Sequence, residues 1–216
     1  MDSAQITLRS VSNAGSRAAR WLAALSPLLD RLLKIRDIDV HYRQSGLAGL
    51  PPLEFAAGAL RALGVTFRNL SGPVTDRIPG RGPVLVVCNH PYGGIEALIL
   101  AALLREHRPD LRFLANGALR VFREFAPALI ATNPLRVTQG NLRSIRECEA
   151  HLRAGGVLVV FPAGRVSYRR PEGQRITDGE WNRLVGHLAL RTDATLVPVL
   201  FRGANSEFFQ RAGRLW

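Results

Sequence analysis

Two kinds of hydrophobic pattern divide the chain. In residues 17–35, leucines and Trp21 recur three or four positions apart between basic residues, and residues 51–63 open with two prolines, which suit the first turn of a helix. From residue 65 onward, short apolar runs alternate with longer segments of helical periodicity. We therefore expect an N-terminal helical segment over residues 1–64 and an α/β domain over residues 65–216.

The short apolar runs predict the strands of one sheet. Residues 82–89 (GPVLVVCN) and 156–164 (GVLVVFPAG) are apolar without alternation, which is typical of central strands buried on both faces. Residues 65–70, 112–116 and 194–203 predict further strands. Because helical segments separate these runs, the pattern favours a mostly parallel central sheet flanked by helices.

Four segments between the runs predict the helices of the domain. Their spacing of apolar residues is helical, and Pro127 breaks one of them. The segments are residues 94–107, 117–131, 141–156 and 178–192.

Candidate chemistry lies where the first buried strand ends, in CNHPYGGIE at residues 88–96. His90 leaves the strand, two glycines turn the chain, and Glu96 enters the first turn of the next helix. The reversal can bring the carboxylate to one ring nitrogen of His90, which leaves the other nitrogen as a base. On spacing alone, a histidine in a loop and a glutamate serving the helix dipole remain an equal alternative.

Two later segments are expected at the same place. Ligands of parallel sheets gather at the carboxyl ends of the strands, a rule that brings residues 161–165 and 202–205 to the rim that carries His90. The turn FPAGRVS, with Gly164 and Arg165, can present backbone N–H groups and a guanidinium to a phosphate or carboxylate. Arg136 is a second candidate anion contact. An ordinary turn and solvated arginines are the alternatives.

Composition narrows the class of partner. Lysine and arginine number 29 against 17 aspartates and glutamates, which suits an anionic membrane surface, a phosphorylated substrate or a nucleic acid. Aromatic residues make up 7% and do not interleave with basic ones as a base-stacking platform requires, so no nucleic-acid partner is expected. The two cysteines provide neither a disulfide framework nor metal-ligand spacing, so a reducing cytoplasmic setting and no metal are expected.

Membrane contact, if it occurs, is expected at the surface. No apolar run approaches the roughly 20 residues that span a bilayer, and the start of the chain lacks a signal-peptide pattern. The helix predicted for residues 17–35 fits either the domain core or the headgroup region of an anionic leaflet. Cys88, two residues before His90, is interpreted as a small buried thiol, with a Cys–His nucleophile pair as the minor alternative.

The motifs in this order resemble the lysophospholipid and glycerolipid acyltransferases. The resemblance rests on Asn89, His90 and Glu96, then FPAGRVS at 161–167, then LVPVLFRGANSEFFQ at 196–210, and it covers residues 65–210. It is closest to the hemolysin-like branch, which includes acyltransferases of ornithine-lipid synthesis.

The resemblance implies an O-acyltransferase in which His90 is the general base and Glu96 orients it, with Asn89, Gly164 and Arg165 at the substrate. The acyl group would pass from acyl carrier protein or coenzyme A to a lyso-ornithine lipid or lysophosphatidic acid. No metal, no other cofactor and no covalent enzyme intermediate is implied, and the protein would lie peripherally on the cytoplasmic side of the membrane.

Three departures from the family pattern qualify this reading. Five residues instead of four separate His90 from Glu96, Ala163 replaces the common glutamate, and Arg165 stands where the branch often has an acid. A positive charge at that position favours an anionic group on the acceptor. A non-catalytic lipid-binding or membrane-docking module with the same fold is the alternative function.

Overall fold

The computed structural model describes residues 42, 44–132, 139–170 and 175–212. The helix predicted for residues 17–35 and the candidate contact Arg136 lie outside the described residues. The division of the chain at residue 65 stays a prediction.

The described residues form the strands β1 Val84–Cys88, β2 Leu111–Asn116, β3 Leu129–Thr132, β4 Val157–Val160, β5 Tyr168–Arg169, β6 Ile176–Thr177 and β7 Thr195–Val199. Five of these strands are parallel and make up the central sheet in the order β3-β2-β4-β1-β7, and β5 and β6 form a separate antiparallel pair. Strand β1 pairs with β4 on one side and with β7 on the other. The predicted fold class, a mostly parallel sheet flanked by helices, is confirmed.

Five α-helices accompany the strands in the described part of the chain. They are α1 Pro52–Ala62, α2 Ile95–Leu104, α3 Gln139–Arg153, α4 Leu184–Thr192 and α5 Glu207–Ala212. Alternate residues of β1 enter two separate apolar clusters, one with α1 and α2 and the other with α3 and α4. Helices therefore cover both faces of the sheet, which explains why β1 and β4 are apolar throughout and fully buried.

Segment 117–131, predicted as a helix, is not one. The chain forms short 3₁₀ turns at Gly117–Val121 and Ala126–Ala128 and then becomes strand β3. The aromatic spacing that suggested a helix has another cause, because Phe125 packs against Phe113 at 5.4 Å between ring centroids. Pro127 sits in the second turn, where a missing N–H costs nothing.

Two further predictions are corrected by the structure. Residues 65–70 form no strand and are mostly exposed. The helix predicted for 178–192 begins only at Leu184, so residues 178–183 are irregular. Within the described ranges, no helix combines the length and apolarity that crossing a bilayer requires.

Candidate active site

The carboxyl ends of β4, β1 and β7 meet at one rim, as the rule for parallel sheets predicts. Asn89, directly after β1, donates from its side-chain nitrogen to the Phe201 carbonyl at 2.9 Å and accepts from the Phe201 N–H at 2.7 Å. This two-bond clamp joins the residue that follows β1 to a residue two positions beyond the end of β7. On the other side, the imidazole of His90 stacks on Phe161 at 4.3 Å between ring centroids.

His90 and Glu96 lie together at this rim. The Nδ1 atom of His90 is 3.5 Å from Oε1 of Glu96, a distance that serves an ion pair and is long for a hydrogen bond. Glu96 is completely buried, whereas 17% of the His90 side chain is exposed. Gly93, with φ +103°, makes the turn that brings the two together.

His90 and backbone donors in the turn before α2 keep the Glu96 carboxylate charged. Burial raises the pKa of Glu96, but His90 and the N–H of Tyr92 lower it further than burial raises it, so the pKa lies below its ordinary value. Oε1 accepts from the backbone N–H groups of Tyr92 at 2.6 Å and Gly93 at 3.3 Å. The carboxylate is thus a fixed negative charge facing Nδ1.

This arrangement defines which nitrogen of His90 faces a substrate. Nδ1 is buried against Glu96, and Phe161 covers one face of the ring. Nε2 is left as the nitrogen that can take a proton from a bound hydroxyl, with Glu96 placed to stabilise the imidazolium that results.

Asp178 is a site residue that sequence reasoning missed. One of its carboxylate oxygens, Oδ1, accepts the backbone N–H of His90 at 3.1 Å and the hydroxyl of Ser167. In the sequence Asp178 looks like the start of a helix, and 88 residues separate it from His90. The residues around Asp178 in the sequence contain no local signal that its carboxylate would contact the main chain of His90.

Three of the residues predicted to bind substrate have described positions. Asn89 is at the rim, but both polar atoms of its amide are occupied by Phe201. Gly164 adopts φ +62° and its N–H donates to the Phe161 carbonyl at 2.9 Å, so this N–H closes the turn. Arg165 is exposed at the rim. Contacts of these residues with a substrate stay predictions, and the geometry favours Arg165 among them.

The cysteines do not have the properties of nucleophiles. Cys88 is fully buried, and burial, with smaller contributions from the Glu96 and Asp178 charges, strongly raises the pKa of its thiol. A thiol of this kind stays protonated near neutral pH. Among the residues that the structure describes, no three histidine, cysteine, aspartate or glutamate side chains are grouped as a metal site.

The family model described as Acyltransferase matches residues 9–216 of this chain. The chain belongs to the acyltransferase family. The reaction of this family is the transfer of acyl groups, and it is the chemical context for the His90–Glu96 pair at the rim.

Two relatives of this acyltransferase family member have more specific names. A lyso-glycine lipid O-acyltransferase of Phocaeicola vulgatus is 32% identical over 136 residues, which cover 62% of this chain and 47% of that protein. A lyso-glycine lipid O-acyltransferase of Bacteroides thetaiotaomicron is 31% identical over 136 residues, covering 62% of this chain and 48% of that protein. The chain spans about half the length of these relatives.

Proposed function

We propose that the protein is an O-acyltransferase that moves a fatty acyl group from an acyl thioester to the hydroxyl of a lysolipid, with His90 as general base and Glu96 as its orienting carboxylate. The observation that carries the proposal is the pair itself. A buried, charged Glu96 faces Nδ1 of a partly exposed His90 at the rim where parallel sheets bind ligands. Family membership supports acyl transfer as the reaction.

The proposed reaction needs no group beyond the two substrates. Nε2 of His90 takes the proton of the acceptor hydroxyl as its oxygen attacks the thioester carbonyl carbon. A carbon–oxygen bond forms, the carbon–sulfur bond breaks, and the departing thiolate takes the proton back from the imidazolium. Glu96 stabilises the positive ring between these two proton transfers.

An amino-acid lysolipid is the acceptor class that we favour. Both relatives are named for a lyso-glycine lipid, and a glycine or ornithine headgroup ends in a carboxylate. Arg165, exposed two residues before Ser167, offers that carboxylate a guanidinium near His90, because the Ser167 N–H donates to the His90 carbonyl at 2.8 Å. Lysophosphatidic acid presents an anion as well and is the competing acceptor.

The donor and the location of the protein belong to the same proposal. Acyl carrier protein and coenzyme A both deliver a thioester and both are acidic, which suits a chain of net charge +12. The same charge favours a peripheral position on the anionic cytoplasmic leaflet, where the acceptor resides.

The test combines one histidine variant with a panel of substrates. Acyl-ACP and acyl-CoA are each offered with lyso-glycine lipid, lyso-ornithine lipid or lysophosphatidic acid, and product is measured by mass spectrometry. We expect the wild-type protein to turn over an amino-acid lysolipid. In His90→Asn the turnover rate should be lower by about 10³-fold or more. His187→Asn, a matched change at the α3–α4 contact with Glu149, should keep wild-type rates.

Other outcomes decide against the proposal. Full activity of His90→Asn would refute the assigned base. Lipid binding without thiol release from any donor would favour the non-catalytic lipid-binding module.

A further inference from the structure

The main chain of His90 is held from two directions. Its N–H donates to Oδ1 of Asp178 at 3.1 Å, and its carbonyl accepts the N–H of Ser167 at 2.8 Å. The hydroxyl of Ser167 donates to the same Oδ1 atom. These three bonds close a ring through residues of three separate segments: the loop after β1, the end of FPAGRVS and the loop after β6.

The second oxygen of Asp178 connects this ring to the protein surface. Oδ2 accepts the indole N–H of Trp181 at 3.0 Å, and 47% of Trp181 is exposed. The backbone carbonyl of Asp178 also accepts from Arg170 at 2.9 Å. Both carboxylate oxygens are therefore occupied by donors, and Asp178 itself has few positions available to it.

The two carboxylates near His90 act on different parts of the residue. Glu96 faces the ring at Nδ1, whereas Asp178 bonds the backbone N–H. The imidazole of His90 stacks on Phe161, which limits the movement of the ring. The distance from the ring to a bound hydroxyl also depends on the position of the His90 Cα atom. A shift of about 1 Å at a reacting group can cost about 10²-fold in rate.

We propose that Asp178 is a positioning residue that fixes the main chain of His90 and so sets the distance between Nε2 and the acceptor hydroxyl. The inference rests on the proposed function of His90, and it assigns to Asp178 no contact with substrate. Ser167 assists, because its hydroxyl donates to the Asp178 carboxylate and its N–H donates to the His90 carbonyl.

The kinetic test uses Asp178→Ala, Asp178→Asn and Trp181→Phe in the acyl-transfer assay. Asp178→Ala removes the acceptor of the His90 N–H, and we expect kcat to fall by about 10²-fold with the KM of each substrate within about twofold. Trp181→Phe removes only the indole donor to Oδ2 and leaves the bond between Oδ1 and the His90 N–H, so kcat should fall far less than in Asp178→Ala. The melting temperature of each variant shows whether it is folded.

A double-variant cycle separates positioning from loop stability. Asparagine can still accept from the His90 N–H, but its amide nitrogen then faces the indole N–H of Trp181, two donors in contact. Asp178→Asn should therefore lower kcat in the wild-type background and lower it clearly less in the Trp181→Phe background. The difference between the two changes is the coupling that the cycle measures. A role in loop stability alone predicts that this coupling appears in the melting temperatures, while the folded variants keep kcat close to that of the wild type.

A second readout does not depend on turnover. The chain has five histidines, so selective ¹⁵N-histidine labelling gives at most five backbone amide signals, and the signal lost in His90→Asn identifies His90. Its exchange with solvent should be at least about tenfold faster in Asp178→Ala and should change far less in Trp181→Phe, which keeps the acceptor Oδ1.

The outcomes divide cleanly. Wild-type kcat and unchanged His90 amide exchange in a folded Asp178→Ala protein would overturn the inference. If Asp178→Ala does not fold, equal losses of kcat for Asp178→Asn in the two backgrounds overturn it, and rescue by Trp181→Phe supports it. If the wild type shows no acyl transfer, the proposed function fails, while the amide exchange still decides whether Asp178 fixes His90.

Discussion

Replacing Glu96 by glutamine removes one charge beside His90 and leaves the shape of the site unchanged. At 3.5 Å, two unit charges attract by about 5 kcal/mol at an effective dielectric constant of 20. This attraction exists only while the imidazolium exists, so its loss appears in the barrier. Since 1.36 kcal/mol is about tenfold in rate, and rearranged water and backbone dipoles recover part of the loss, we expect kcat to fall by about 10² to 10³-fold.

The fold should survive this change. The carbonyl oxygen of glutamine can still accept the N–H groups of Tyr92 and Gly93, so the free energy of unfolding should fall by only about 1 kcal/mol. The assay follows thiol release from the acyl donor at saturating lysolipid. Glu54→Gln provides the control, because Glu54 is 53% exposed on α1 and pairs with Arg105 near the surface.

One result would refute the reasoning. If the folded Glu96→Gln protein keeps kcat within about threefold of wild type, the carboxylate does not stabilise the imidazolium, and Glu96 serves only the turn. Glu54→Gln should then be equally silent.

Four further predictions concern residues other than His90. Arg108→Ala should lower the free energy of unfolding in urea by about 3 kcal/mol or more, because this 2% exposed guanidinium donates to three backbone carbonyls. Cys88 should resist maleimide in the native protein and react in denaturant, because burial raises the pKa of its thiol. Gly203→Ala should lower the melting temperature, because φ is +117° and a Cβ atom would lie 1.7 Å from the Tyr92 hydroxyl. The lowered pKa of Glu96 means that its charge stabilises the fold above about pH 4.5 and that this contribution is lost as pH falls further, so the free energy of unfolding should decrease less steeply in Glu96→Gln.

Each of these has a matched comparison. Arg105→Ala at the surface should cost far less than Arg108→Ala, and equal losses would contradict the assigned bonds. Fast maleimide labelling of native Cys88 would show that β1 opens readily. Gly94→Ala, at a position with open space and a negative φ, should be tolerated where Gly203→Ala is not.

The sequence predicts the centre of the sheet well because burial on both faces leaves an unbroken apolar run. The segments GPVLVVCN and GVLVVFPAG mark β1 and β4, and the sheet indeed pairs them, Val84 with Val157. It predicts the edge less well. Leu129–Thr132 is short and follows phenylalanines at helical spacing, so its strand character depends on pairing with β2 and not on its own pattern.

The strand predicted for residues 65–70 is wrong for the opposite reason: the pattern indicates a strand where the structure has none. Alternating Val65 and Phe67 have the pattern of a strand, but among the described residues no strand pairs with this segment, and Phe67 and Leu70 are exposed. Periodicity reports which residues prefer burial and does not supply the neighbour that would bury them.

The same limit applies to the contacts of the candidate site. His90 and Glu96 are recognisable because the turn between them is local, and the structure places them 3.5 Å apart. Asp178 reaches His90 only through the loop after β6, and the clamp between Asn89 and Phe201 depends on β7 lying next to β1. Contacts of this kind depend on which strands and loops are neighbours in the fold, so no local sequence motif predicts them.

The position of β1 between β4 and β7 has a consequence for how the protein becomes active during synthesis. Val84 pairs with Val157 and with Thr195, partners far along the chain, so the neighbourhood of His90 has high contact order and cannot form early. A nascent chain that lacks β7 has no clamp on Asn89 and no finished rim. The rim that carries His90 is therefore finished only after β7 has docked against β1, and the other four strands of the sheet are synthesised before β7.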